Sequence, residues 1–168
     1  LKFEAGVLVG LLGVLVATGG LVAHKERVVR SGEQVLLPLV PVDPRSLIQG
    51  DYMDLRYDMG PAELQLDERS PRDGFVVVLL DRDRVGQVQR LDRGEPLAPG
   101  ELRVRYRRRG GRLKIGAEAF HFQEGQAPAF EGARFGELRV SDQGEVVLVG
   151  LRNKERARLP APGAPAAP

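Results

Sequence analysis

The chain has 168 residues, one domain's worth, of which 42 % are hydrophobic and 29 % charged; neither a disordered chain nor a multi-pass membrane protein fits the whole of it. Its 25 basic and 23 acidic residues leave a net charge of +2, which argues against a general nucleic-acid binder. With no cysteine, disulfides, zinc–thiolate sites, iron–sulfur clusters and cysteine nucleophiles are excluded.

Residues 5–23 carry no charge, and ten of the nineteen are Leu or Val. As a helix they span about 28 Å, close to the roughly 30 Å hydrocarbon core of a bilayer. A soluble helix of that length usually shows a polar stripe, and this one has none. The segment predicts a membrane-inserted helix. The run is longer than a secretory h-region, and Leu21-Val22-Ala23 is a poor cleavage site, so an uncleaved anchor is favoured over a signal peptide. Gly6 and Gly10 have the spacing that lets membrane helices pack closely, although glycine is common in such helices in any case. Lys25, Arg27 and Arg30 follow the segment and only Lys2 precedes it. A literal positive-inside count puts the remainder in the cytoplasm, and basic residues ahead of Leu1 would reverse it.

Beyond the helix the pattern is strand-like. Residues 34–42 form an apolar opening strand. Residues 51–59 alternate, with Met53, Leu55, Tyr57 and Met59 on one face and Tyr52, Asp54, Arg56 and Asp58 on the other. The run Phe75-Val76-Val77-Val78-Leu79-Leu80 suits a central strand, paired through a turn at 81–84 with a weaker strand at 85–91. Residues 101–115 predict a hairpin: Leu102, Val104 and Tyr106 alternate with arginines, and Gly110-Gly111 supplies the positive-φ turn. Residues 137–151 repeat that logic around Asp142-Gln143-Gly144. Short helical turns are expected at 61–66 and 128–134. The reading is mainly β: a single antiparallel β-sandwich or partly open barrel preceded by one transmembrane helix. It divides into an anchor and juxtamembrane segment over 1–30, a β-domain over 31–159, and a disordered Pro/Ala-rich tail over 160–168.

The segment from Asp43 to Tyr57 reads DPRSLIQGDYMDLRY. Asp43 and Pro44 suit the start of a helical turn, Gly50 its left-handed end, and Asp51 the start of a strand. Gly50, Asp51, Tyr52, Leu55 and Tyr57 match in identity and spacing the signature of the GDYXXLXY family, which the chain resembles from Asp43 to Leu151. Asp43-Pro44-Arg45, Leu47, Gly116-Ala117-Glu118-Ala119-Phe120, Glu124-Gly125 and the strand pair at 136–150 are also similar. The resemblance implies a bacterial protein with an N-terminal membrane helix and no established activity, a companion of multi-pass membrane proteins. It also implies a domain outside the cytoplasm, and the topology read here follows it: a single pass through the bacterial inner membrane with the C-terminal domain extracytoplasmic.

Asp51 and Tyr52 are the sharpest candidates, because an exposed tyrosine beside carboxylates suits a partner or ligand. The structural alternative has Asp51 fixing a turn and Tyr52 packing under a loop. Arg45, Tyr57 and Phe120 complete the proposed interaction set, on a surface formed by residues 50–57 and 120–135. His121 with Glu124 and Glu118 are weak catalytic candidates for acid–base work, with His121 expected on the solvent face opposite Phe120 and Phe122. His24 and His121 are too few to suggest a metal site, and no cofactor is indicated. Arg103, Arg105, Arg107 and Arg112 lie in a basic ribbon that suits lipid head groups, an acidic partner or simply solvent. Its single aromatic, Tyr106, argues against nucleic acid. The expected function is a membrane-anchored accessory or interaction subunit of an integral membrane partner, in contact with the bilayer. An envelope hydrolase or a small-ligand module using the Asp51/Tyr52 face is the alternative.

Overall fold

The Leu/Val-rich start forms a helix, α1 (Lys2–Ser31). The structure, a computed structural model, describes residues 2–40, 48–49, 52–67 and 70–160. In α1 nothing is described of the side chains at 2–6, 8 and 9, so part of the span expected at 5–23 lies outside the described residues. The uncharged run ends at Ala23, where His24 to Arg27 interrupt it. Among the described residues no helix is long and apolar enough to cross a membrane.

Among the described residues the elements run from a helix to mostly strands. The strands are β1 (Glu33–Pro38), β2 (Ile48–Gln49), β3 (Tyr52–Asp54), β4 (Asp73–Leu80), β5 (Gly86–Leu91), β6 (Glu101–Arg109), β7 (Arg112–Lys114), β8 (Ala119–His121), β9 (Phe135–Val140) and β10 (Val146–Arg152). A short α2 (Gly60–Leu64) has Pro61 in its first turn, and a 3-10 turn spans Ala127–Phe130. Both fall where proline-led turns are expected.

Among the described residues three antiparallel sheets have the orders β1-β9-β10, β2-β3-β8 and β5-β4-β6-β7. Lone bridges stitch them: Leu36 to Val85, in parallel, and Leu39 to Tyr57. The result is a curled half-barrel around one core built from Val35, Leu37, Leu55, Tyr57, Val76, Val78, Val104, Tyr106, Phe130 and Leu138. The antiparallel β-domain is therefore present, in its partly open form.

The three expected hairpins form, as β4–β5, β6–β7 and β9–β10. Gly110 and Gly111 take φ of 57° and 76°, as a tight two-residue turn between twisted strands demands. At the β4–β5 turn the Asp81 carboxylate accepts the N–H groups of Asp83 and Val85, and Arg84 is left-handed at φ 63°. Residues 51–59 do not form the long strand expected. After β3 the chain keeps its alternation, but Leu55 N–H donates to the Glu118 carbonyl and Asp58 N–H to the Pro38 carbonyl, while the Arg56 carbonyl accepts from Val40. The segment changes partner midway, so no single ladder continues. Pro38 ends β1 at the point where this exchange begins. Of the helical turn expected at 43–50, Ile48 and Gln49 form β2 instead, paired with Met53 and Tyr52, and the rest, like the tail at 161–168, lies outside the described residues.

Candidate functional site

In the motif segment, Met53, Leu55, Tyr57 and Met59 are buried, and Tyr52, Asp54, Arg56 and Asp58 point outward. Register places Tyr52 directly opposite His121 across β3 and β8. Their rings lie 5.8 Å apart, tilted by 45°. Tyr52 keeps 37 % of its surface exposed, and His121 is also exposed. His121 thus stands on the solvent face as alternation predicts, with Phe120 and Phe122 beneath it. Asp51 and Arg45 lie outside the described residues.

Two residues assigned to the interaction surface belong to the core instead. Tyr57 is 5 % exposed, and its hydroxyl donates to the Ala117 carbonyl at 2.7 Å. Burial, with the Glu118 charge adding to it, pushes its phenol above the ordinary range, so it is a neutral donor. A Cβ at Gly136 would sit 2.7 Å from the Tyr57 ring, so glycine provides the floor on which that ring lies. Phe120 is 8 % exposed and meets Phe130 edge-on at 5.0 Å, while Phe122 stacks on Phe130 at 5.6 Å. These aromatics gather because they pack on one another beneath the sheet, not because they face a partner.

Beside the motif lies a groove of about 300 Å³. Asp54, Arg56, Asp58, Glu63, Arg112 and Glu118 line it, with carboxylates and cations interleaved. Glu63 accepts the Leu113 N–H at 3.2 Å, and Glu118 accepts that of Gly116 at 3.0 Å, so both are partly engaged in holding backbone. Among the described residues His121 and Glu124 have neither a hydrogen bond nor an ion pair, so the fold does not assemble the acid–base pair. Among the described residues there is also no cluster of metal-ligating side chains.

The basic ribbon is divided. Arg103 donates to Asp92 at 2.5 Å and to the Glu95 carbonyl at 2.9 Å. That hydrogen bond holds the Asp92 carboxyl below its ordinary range. Arg90 grips Glu101 through two nitrogens, and Arg90 and Arg103 flank the fully buried Val77 in register from either side. These arginines roof the outer face of β4. Arg107 pairs loosely with Asp73 at 3.4 Å, and Arg105 and Arg112 remain exposed.

Two clusters escape sequence reasoning. Glu137, 4 % exposed, receives both Arg152 nitrogens at 3.1 Å and the Gln34 amide at 3.1 Å, with Arg158 at 3.6 Å. The β-bulge between Leu148 and Gly150 shifts register there, and Gly150 leaves the space that the Arg158 guanidinium fills. The second cluster joins helix to domain. His24 Nε2 lies 2.7 Å from the Glu145 carboxylate and Lys25 Nζ 3.7 Å away, close to the point where Val28 is buried. The His24 hydrogen bond, helped by Lys25 and Arg105, holds the Glu145 carboxyl below its ordinary range. No spacing rule connects positions 121 residues apart, so only the fold makes this contact visible.

Fold and site together define a half-barrel β-domain docked on the end of an apolar helix, with an exposed aromatic pair on its motif strand. The chain belongs to the GDYXXLXY family: the family described as GDYXXLXY protein matches residues 14–151, a stretch that begins inside α1. No curated protein and no solved structure matches it.

Proposed function

We propose that this protein is a membrane-anchored accessory subunit that binds an integral membrane partner through the outward face of its motif strand. Tyr52 and His121 form the centre of that face, and Asp54, Arg56 and Asp58 form its polar rim. The carrying observation is the Tyr52–His121 ring pair, aromatic surface left at the protein's exterior while every neighbouring phenylalanine of the β8 region is packed away. Such a centre with a charged surround is the composition of a binding hot spot. In this reading residues 5–23 are the anchor in the bacterial inner membrane, and the extracytoplasmic side of the domain follows from the family resemblance. Leu11, Leu12, Leu15, Val16 and Leu21 support this reading, each more than half exposed, because such a surface is costly in water and favourable in lipid.

The test is extraction in mild detergent and affinity purification of the full chain. A multi-pass membrane protein is expected to accompany it, and to be lost from Tyr52→Ala and His121→Ala variants that melt at the normal temperature. Recovery of the wild-type chain alone, with unchanged stability, overturns the proposal.

The groove of about 300 Å³ beside the motif supports a second reading, a small-ligand module. Its interleaved charges fit a zwitterionic ligand. Loss of ligand binding in Arg112→Gln, with partner capture intact, separates the two.

A further inference from the structure

A second concavity, of about 220 Å³, lies at the junction of helix and domain and shares Lys114 with the motif groove. Lys25 comes from the last turns of α1, Arg105 and Arg107 from β6, and Lys114 from β7. Tyr106 and Glu145 complete the wall.

The charges in it are poorly matched. Register sets Arg107 directly opposite Lys114, a like-charge cross-strand pair of the kind that destabilises a sheet. Arg105 is two residues from Arg107 and so faces the same way. Among the described residues Lys114 has no ion-pair partner, and Arg107 has only the exposed Asp73 at 3.4 Å. The one carboxylate in the wall, Glu145, is already engaged by His24 at 2.7 Å and Lys25 at 3.7 Å. Four cations against one carboxylate leave a surplus of positive charge converging on a space of small-anion size. A dianionic or monoanionic phosphate fits it: its oxygens accept from lysine as point charges and from arginine as forks.

We propose that this pocket binds a phosphate group, carried by an anionic phospholipid head group or by a soluble phosphate ester. The lipid form rests on the membrane-anchor reading above. Lys25 stands two residues, about 3 Å, past the end of the apolar run at Ala23, which is head-group depth if α1 crosses the bilayer.

The test titrates the full chain in non-ionic detergent with short-chain phosphatidylglycerol, short-chain phosphatidylcholine and glycerol 3-phosphate, by calorimetry. Arg105→Gln/Lys114→Gln and, separately, Lys25→Gln probe the pocket. Arg93→Gln/Arg109→Gln removes equal charge from exposed positions outside it. Phosphatidylglycerol is expected to bind the wild type and phosphatidylcholine not, with affinity falling about tenfold per pocket charge removed and unchanged in the control. Glycerol 3-phosphate binding as tightly, with the same dependence on the variants, supports the pocket and identifies a soluble ester. No binding of either phosphate, or an equal loss in the control, overturns it. Alkaline carbonate extraction separates the two readings. Release of the chain from membranes with glycerol 3-phosphate binding intact removes the anchor alone. Retention in membranes without phosphate binding removes the pocket alone.

Discussion

Residues 52–59 and β6 alternate in the same way, and in both the apolar set is buried: Met53, Leu55, Tyr57 and Met59 in one, Val104 and Tyr106 in the other. Their polar faces have different fates. In the motif segment Tyr52, Asp54 and Arg56 stay at the surface beside an open groove. In β6 the outward Arg103 is drawn down onto Asp92, and with Arg90 it covers Val77. A polar face that overlies a second strand's apolar residue becomes part of the structure. One that keeps its side chains at the surface, as Tyr52 does at 37 % exposure, can contribute to a contact with another molecule. Alternation determines which side faces out, and the neighbouring strands determine whether that side is free.

Five measurements sharpen or break this contrast. Tyr57→Ala is expected to cost about 3–5 kcal/mol in denaturant unfolding, since it empties a fully packed aromatic site over Gly136. A cost near zero shows that the inward face of the motif is not core. Arg103→Gln is next, at about 1–3 kcal/mol, because it strips the charged partner from a nearly buried Asp92. The pH dependence follows from the same pair. Asp92 has its carboxyl depressed in the folded state, so its contribution is complete above the ordinary aspartate range near about 4 and is lost as the pH falls through the lower folded value. The acid limb of the stability curve is therefore expected to be shallower in Arg103→Gln than in wild type. Parallel limbs count against the pairing.

Tyr57→Phe removes only the hydroxyl that donates to Ala117 and leaves that carbonyl unpaired, at about 1 kcal/mol by the same unfolding measurement. Tyr52→Ala is the smallest, within about 0.5 kcal/mol of wild type, because its side chain contributes to surface and not to core. A large loss there makes Tyr52 a structural residue and removes the centre of the proposed docking face.

The two tyrosines of the motif show how far a sequence reading reaches. Both look alike as motif members, and both entered the interaction surface on that basis. Position parity already separates them: residue 52 is even with Asp54 and Arg56, residue 57 odd with Met53 and Leu55. The same rule placed His121 outside and its phenylalanines inside. Phe120, on the face opposite His121, belongs with the core and not with the exposed surface.

The amino-acid order by itself determined the helix, the three glycine- and aspartate-turned hairpins, the mainly antiparallel β character and the alternating burial of residues 52–59. These depend on local geometry: a period of two or 3.6, a positive-φ turn, a proline that ends a ladder. Tertiary structure alone decided that β1 pairs with β9, that Glu137 meets Arg152 across a bulge, and that His24 and Lys25 reach Glu145. It also gathered Lys25 with Arg105, Arg107 and Lys114 around one pocket. Such contacts join residues far apart in the chain, and their energy depends on distances and burial that appear only once the sheets have curled around their core.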